Sequence, residues 1–258
     1  MPKTIIVSYS GGLGSFYAAH LCKIKYPETE IKLVFTDTLI EDPDLYRFLR
    51  ESAQALNLEL IEIADGRTPW QVFEDVKLQG NSRIAPCSKI LKRETFNKWI
   101  KENYPNGDFV VCLGIGWEES ERLERAKINN PYEVIAPLCD KPFIFPEDKE
   151  KILSSYGIEK PRLYDLGFSH NNCGGFCVRA GLAHFKNLYE KLPEVYLRHE
   201  QEQEDLIKKN PKLDKPFLKK TINKKIEYLS LKAFREKHLE LNEIEKNDFG
   251  GCGCFVDD

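Results

Sequence analysis

Thr4-Ile5-Ile6-Val7-Ser8-Tyr9-Ser10-Gly11-Gly12-Leu13-Gly14-Ser15 is the stretch on which the fold of this chain turns. It opens with an uninterrupted apolar run that stops at glycines, the pattern of a strand buried on both faces of a parallel sheet. Behind the glycines, Phe16, Ala19, His20 and Ile24 recur at helical spacing over residues 14–26. A strand joined to a helix by a glycine-rich turn is suited to hold an anion. The glycines let the backbone approach closely, and the helix start offers unpaired N–H groups at the positive end of its dipole. Ser8, Ser10 and Ser15 add hydroxyls. The loop lacks both the lysine of a Walker A motif and the G-x-G-x-x-G spacing, so neither of those phosphate-binding classes applies. At Gly12 a β-branched residue is expected to block close phosphate approach and to resist a positive φ.

Working outward, residues 31–35 read as a second strand. Asp42-Pro43 follows as N-cap and first helical residue, and Leu45, Phe48, Leu49, Ala53 and Leu56 form one apolar stripe. Residues 58–63, 109–114 and 133–136 supply three further strands. Strands alternating with helices predict an α/β fold, a Rossmann-like, doubly wound parallel sheet. Residues 64–87 interrupt the rhythm with Gly66, Pro69, Gly80 and Pro86, long enough for a functional loop holding a short helix. Beyond Cys139 no strand is expected. Residues 180–192 and 217–239 read as helices, the second through Ile222, Ile226, Leu229 and Ala233. The division that follows is a sheet domain over 1–165, which carries the glycine-rich loop, and a helical, cysteine-containing region over 166–258, with the boundary near 164–173.

The 258 residues carry 38 Lys+Arg and 41 Asp+Glu, a net charge of −3, and are 41% hydrophobic, which describes a globular chain rather than a disordered one. No apolar run is long enough to span a bilayer, so no membrane partner is expected. The start offers only Ile5-Ile6-Val7 before the glycines, not a secretory signal, and the expected location is cytoplasmic. Eight cysteines in a reducing compartment point to metal or redox chemistry more than to disulfides. The charge is uneven: residues 207–238 hold 11 Lys+Arg and 3 Asp+Glu, +8, which leaves −11 for the rest. Such a basic segment can hold a polyanion such as nucleic acid, or form a solvated lysine-rich face.

Four segments in order resemble one family. Ser10-Gly11-Gly12-x-x-Ser15 is similar to the S-G-G-x-x-S pyrophosphate loop of the PP-loop ATP pyrophosphatases. Val34-Phe35-Thr36-Asp37-Thr38 with Glu41-Asp42-Pro43-Asp44 resembles the second-strand signature of their phosphoadenosine-phosphosulfate (PAPS) reductase branch. Pro86-Cys87-Ser88-Lys89-Ile90-Leu91-Lys92 resembles its C-[ST]-x-x-L-K segment. Gly114-Ile115-Gly116-Trp117-Glu118-Glu119 with Arg122 resembles its G-I-R-x-x-E segment. The resemblance covers roughly residues 4–140.

That resemblance implies ATP across the carboxyl ends of the strands, with the pyrophosphate on Ser8, Ser10, Gly11, Gly12, Leu13, Gly14 and Ser15 and further contact at Gly114. It implies attack of an acceptor on the α-phosphorus to give an adenylate and pyrophosphate. Asp37 would serve Mg²⁺ or the nucleotide, and Lys92 and Arg122 would neutralise phosphate charge. The plain alternative is that Asp37 caps the turn after its strand while Lys92 and Arg122 are solvated. Two positions depart from the family pattern. The aspartate of S-G-G-x-D-S is Gly14, and the arginine of G-I-R is Gly116. The intact Gly11-Gly12 pair resembles ATP users more than PAPS reductases.

Cys22 and Cys112 fall inside predicted elements and read as ordinary buried cysteines. Cys173 and Cys177 stand in a glycine-rich turn before a helix, and Cys252 and Cys254 form a second pair; Cys87 and Cys139 lie near the strand ends. These six are candidate metal ligands, with Cys173 and Cys177 the core of the set. Spacing alone allows a Zn²⁺ site, whereas resemblance to sulfonucleotide reductases and nucleic-acid thiolation ATPases implies a [4Fe–4S] cluster. His170 reads as a capping or packing histidine.

Three functions follow. The first is ATP-dependent adenylation of an acceptor, a nucleic acid or a sulfur carrier, for sulfur transfer. The second is sulfonucleotide reduction by a C-terminal cysteine, although the E-C-G-x-H tail is absent. The third is a non-catalytic nucleotide-binding module with a structural metal.

Overall fold

A computed structural model describes residues 4–81, 83–214 and 216–250. In chain order the sheet half comprises β1 (Thr4–Ser8), α1 (Leu13–Lys25), β2 (Glu30–Asp37), α2 (Pro43–Leu56), β3 (Glu59–Ala64), α3 (Pro69–Val76), α4 (Thr95–Asn103), β4 (Phe109–Cys112), α5 (Ser120–Asn129) and β5 (Val134–Ile135). A π-helical segment, Ser88–Glu94, runs directly into α4. Then follow α6 (Pro146–Ser155), α7 (Arg162–Asp165), α8 (Leu182–Lys191), α9 (Pro193–Lys209), β6 (Leu218–Ile222), β7 (Lys225–Leu229) and α10 (Leu231–Lys237).

The five strands β1 to β5 make one parallel sheet in the order β3-β2-β1-β4-β5. All five residues of β1 are buried, as its unbroken apolar run requires. Successive side chains point to opposite faces. Ile5 and Val7 pack with Phe16, Phe48 and Leu49 beneath α1 and α2, while Ile6 packs with Val111, Phe96 and Ile100 on the other face. The order places the reversal of winding between β1 and β4, where doubly wound sheets open a crevice for ligands. The expected α/β, Rossmann-like doubly wound sheet is therefore present. Helix α2 starts as read: Asp42 accepts from the Asp44 N–H at 2.9 Å, with Pro43 first in the helix.

A third core lies in the C-terminal half, where Phe168, Phe176, Phe185, Tyr196, Phe217 and Phe234 gather. It draws Trp70 and Phe73 from α3, so residues 64–87 hold the expected short helix, and that helix packs away from the sheet.

Two expectations for this half need correction. Residues 217–239 are not one helix, and strands do occur beyond Cys139. β6 and β7 form an antiparallel hairpin closed by Asn223 and Lys224 at φ 51° and 63°, the left-handed pair of a type I′ turn. The spacing of Ile222, Ile226 and Leu229 mimics a helical stripe across that turn. The real periodicity is two: Leu218 faces Leu229, both buried, while Lys219, Thr221, Ile226 and Tyr228 share the exposed face. Only Leu231–Lys237 is helical, capped by Ser230, whose hydroxyl accepts from the Ala233 N–H at 3.1 Å. Helix α9 was not anticipated. Its Glu/Gln-rich outer face hides Tyr196, His199, Gln203 and Leu206, buried at spacings of three and four.

Candidate nucleotide-binding site

The turn between β1 and α1 is built by space and backbone angle. Gly11 sits at φ 73°, and a Cβ there would meet Leu45 Cγ at 2.8 Å. Gly12, the N-cap of α1, lies at φ −98°, so the positive φ belongs to Gly11 and the expectation for Gly12 is corrected. What restricts Gly12 is the Tyr164 hydroxyl, 3.1 Å from where its Cβ would stand. Gly14 faces the backbone of Gly114: a Cβ on Gly14 would lie 2.8 Å from Gly114 O. A Cβ on Gly114 would lie 2.6 Å from both Gly14 C and Ser15 N. The first turn of α1 thus crosses the exit of β4 with no room for a side chain. This accounts for glycine where the related motif often carries aspartate.

No side chain caps α1 from Gly12, and the helix starts at the wall of a cleft of about 480 Å³. Ser8, Ser10, Gly12, Gly14, Ser15 and Gly114 line it, whereas Gly11 and Leu13 stand outside the lining. Ser15 Oγ donates to Gly12 O at 2.8 Å and stands 3.4 Å from Ser10 Oγ. The Leu13 N–H donates to the Tyr164 hydroxyl at 3.1 Å.

Both expected cations reach the cleft. Arg122 Nη1 donates to Glu119 Oε1 at 2.6 Å, and its buried Nε has no partner among the described residues. Lys92 is not solvated; it is 6% exposed, on the π-helical segment, and it lines the cleft and a second pocket behind it. Beside it lies Glu41, which accepts from Thr38 Oγ1 at 2.7 Å and from the Cys173 N–H. Burial pushes the Glu41 carboxyl up, while the Lys92 charge and those two hydrogen bonds pull it down. Asp37 stands outside the cleft lining. Its carboxylate accepts from the Leu39 N–H at 2.7 Å and from the Tyr46 hydroxyl at 2.9 Å, the turn-capping alternative.

The far wall comes from the segment read as a domain boundary. Tyr164, Ser169, His170, Asn171 and Asn172 all line the cleft. Asn171 Nδ2 donates to Gly11 O at 2.8 Å, which ties this wall to the phosphate loop. His170 stacks on His184 at 5.5 Å, and burial lowers its pKa to about 3, so the ring is neutral. The polar run His170-Asn171-Asn172 before a glycine-rich turn was the available signal for this wall.

Three of the six candidate ligands, Cys87, Cys173 and Cys177, line the second pocket, an apolar space of about 30 Å³ bounded also by Lys92 and Phe176. Cys173 adopts φ 55°, and a Cβ on Gly174 would strike Ile40 O, so this turn is pressed onto the loop after β2. Cys139 is elsewhere, its thiol donating to Ile115 O at 3.4 Å. Cys252 and Cys254 lie outside the described residues. Among the described residues, no group of three or more His, Cys, Asp or Glu is arranged to hold a metal ion. Cys22 and Cys112 are buried with their sulfurs 3.4 Å apart, as ordinary core thiols.

In the basic segment, Lys208, Lys209, Lys220, Lys232 and Arg235 are ion-paired to Asp205, Glu74, Glu245, Glu204 and Glu200. Lys219, Lys224 and Lys225 of the hairpin have no ion pair among the described residues and are exposed. No helix among the described residues is long and apolar enough to cross a membrane.

Residues 4–131 match the profile of the phosphoadenosine phosphosulfate reductase domain. An uncharacterized nin region protein, ORF290, of Escherichia phage lambda is 27% identical over 202 residues, 67% of this chain and 65% of that protein. The phosphoadenosine 5′-phosphosulfate reductase of Cronobacter sakazakii is 33% identical over 105 residues, 40% of this chain and 42% of that enzyme. The chain therefore spans less than two thirds of the length of either relative. Among solved structures, the PAPS reductase of Candida auris in its phosphate complex aligns with a TM-score of 0.46 and 19% identity, over 66% of this chain and 80% of that one. The domain match begins at the strand that feeds the phosphate loop and runs past Lys92, Gly114 and Arg122 at the cleft: residues 4–131 belong to the PAPS reductase branch of the PP-loop superfamily.

Proposed function

We propose that the chain binds ATP in this cleft and transfers its adenylyl group to an acceptor with release of pyrophosphate. The observation that carries the reading is that the start of α1, with no side-chain cap from Gly12, and Arg122, whose Nε has no partner among the described residues, line one cleft at the β1–β4 crevice. An acceptor oxygen, nitrogen or sulfur attacks the α-phosphorus, the bond to the bridging oxygen breaks, and pyrophosphate leaves with the electron pair. The loop N–H groups and the Ser10 and Ser15 hydroxyls hold the departing charge, and Arg122 and Lys92 neutralise it. Mg²⁺ bound with the nucleotide would supply further charge neutralisation. Asp37, engaged by Tyr46 and Leu39, serves as a positioning residue for the turn that carries Glu41.

The thiols suit sulfur chemistry next to this centre. Cys87, Cys173 and Cys177 share a wall, Lys92, with the cleft, which fits an acceptor step in which sulfur is delivered to an activated nucleic acid or sulfur carrier. As a cluster or Zn²⁺ site the described residues fit only in part, because the three thiols are not grouped closely enough to hold an ion, and no step is routed through one. The same adjacency supports a second reading, reduction of a sulfonucleotide by a cysteine.

Anaerobically purified protein incubated with ATP or with PAPS separates the readings. Pyrophosphate from ATP is the expected product. Sulfite from PAPS would replace the proposal with the reductase, and nucleotide binding without either product would reduce the chain to a binding module.

A further inference from the structure

Asn171 is 1% exposed and lies in the wall of the cleft. Its Nδ2 donates to Gly11 O at 2.8 Å. A peptide carbonyl only accepts, so this bond fixes which end of the amide is which. The Oδ1 is then an acceptor, and it is buried with no partner among the described residues. Native proteins rarely leave such an atom unsatisfied, because its lost hydration is not recovered. A bound ligand that brings a donor to this point would recover it.

The chemistry of the donor follows from where the amide is anchored. Asn171 is bonded to the phosphate loop itself, so its Oδ1 can stand only an amide's width from an atom of that loop. The α- and β-phosphate oxygens of a nucleotide are ionised near neutral pH, so they offer no proton and would repel a bare carbonyl oxygen. In a nucleotide, the first donors beyond the phosphates are the hydroxyls of the sugar. We infer that Asn171 Oδ1 accepts a hydrogen bond from a ribose hydroxyl of the bound nucleotide, which makes Asn171 a specificity-determining residue for the sugar. This rests on the reading that the cleft binds a nucleotide. One consequence concerns the choice between ATP and PAPS: if the hydroxyl is the 3′ one, a 3′-phosphate removes the donor and sets an anion against the carbonyl.

The test is calorimetric binding of ATP, 2′-deoxy-ATP, 3′-deoxy-ATP and pyrophosphate to the full chain and to Asn171→Ala, with Asn171→Ser as the second variant should the first not fold. The wild type should bind one deoxy analogue roughly tenfold more weakly than ATP, the scale of one hydrogen bond. In the variant that ratio should fall to about one within the same scale. Pyrophosphate, which has no sugar, reports separately on damage to the loop, and the ratio of ATP to its analogue is insensitive to that damage. Equal wild-type affinity for ATP and both analogues overturns the inference, as does a discrimination that survives in the variants. Absence of ATP binding by the folded wild type would instead sink the nucleotide reading, and this inference with it.

Discussion

Adding a single methyl group at Gly114 should loosen the phosphate loop and the sheet together. A Cβ there would lie 2.6 Å from Gly14 C and Ser15 N and 2.8 Å from Gly14 O. Comfortable contacts between carbons are about 3.5–4.0 Å, so helix α1 and the exit of β4 would have to part by the better part of an ångström. Neither is held by a flexible side chain that could give way; both are backbone over a buried core. Overpacking of this kind costs about 1–3 kcal/mol, and contact with three backbone atoms puts Gly114→Ala at the upper end. For a chain of this size each kcal/mol lowers the melting temperature by about 2–4 °C, so a loss of roughly 6–12 °C is expected. Gly14→Ala meets one backbone oxygen at 2.8 Å and gains up to about 1 kcal/mol of helix propensity, so it should lose less than half as much. Thermal unfolding followed by circular dichroism, with a pyrophosphate titration at 20 °C below each midpoint, measures both effects. A Gly114→Ala protein with unchanged melting temperature and unchanged pyrophosphate affinity would show that the crossing yields easily and that the argument from space is wrong.

Tyr164→Phe should release the Leu13 N–H for ligand and tighten pyrophosphate binding about fivefold, a hydrogen bond's worth; weaker binding would mean the hydroxyl contacts the ligand instead. Acidification should destabilise the fold from pH 6.5 downward. His199, buried and held neutral with its pKa lowered to about 3, excludes a proton that the unfolded chain binds, a slope of about 1.4 kcal/mol per pH unit that His199→Gln should remove in urea titrations at pH 7 and 5. Glu41 acts in the opposite sense, since its raised pKa lets the native state take up a proton first, and Glu41→Gln should steepen the acid loss. Replacing Lys219, Lys224 and Lys225 with Gln should weaken binding to single-stranded RNA or DNA and flatten its salt dependence by up to about 0.7 per lost phosphate contact, while Lys220, paired to Glu245, should matter to stability instead. If protein made with iron, sulfide and zinc available contains metal by elemental analysis, Cys87→Ser, Cys173→Ser and Cys177→Ser should each lower it and Cys139→Ser should not; equal loss with Cys139→Ser would show that the pocket does not define the ligands.

The sheet half was readable because its signals are local. An apolar run ending in glycines, Asp42-Pro43 at a helix start, and a stripe at spacings of three and four each report a contact made within a dozen residues. The hairpin was misread because Ile222, Ile226 and Leu229 satisfy a helical spacing by accident, and only the burial of Leu218 against Leu229 separates the two periods. Tyr164 and Asn171 were missed as cleft residues for a different reason. Their partners, Leu13 and Gly11, lie 151 and 160 residues away, and nothing local distinguishes a tyrosine that meets a phosphate loop from one that does not. Among the cysteines, spacing selected Cys173 and Cys177, but only the fold prefers Cys87 to Cys139, which are both near strand ends in sequence.

The two cavities are joined by the way residues 161–175 are fastened. Arg162 holds the buried Asp42 through two hydrogen bonds at 2.8 and 2.7 Å, Asn171 holds Gly11 O, and the Cys173 N–H donates to buried Glu41. These ties run from the cysteine turn to the phosphate loop and to the start of α2, and Asp42, Asn171 and Glu41 at their centre are each under a tenth exposed. Lys92 completes the arrangement, because its charge steadies Glu41 while its side chain lines both the cleft and the thiol pocket. An anion entering the cleft gives Lys92 a second negative neighbour. Glu41 meanwhile accepts from the Cys173 N–H, so the group beside Lys92 is itself bonded to the cysteine turn. The turn that places Cys173 and the wall tied to the phosphate loop are therefore parts of one fastened segment.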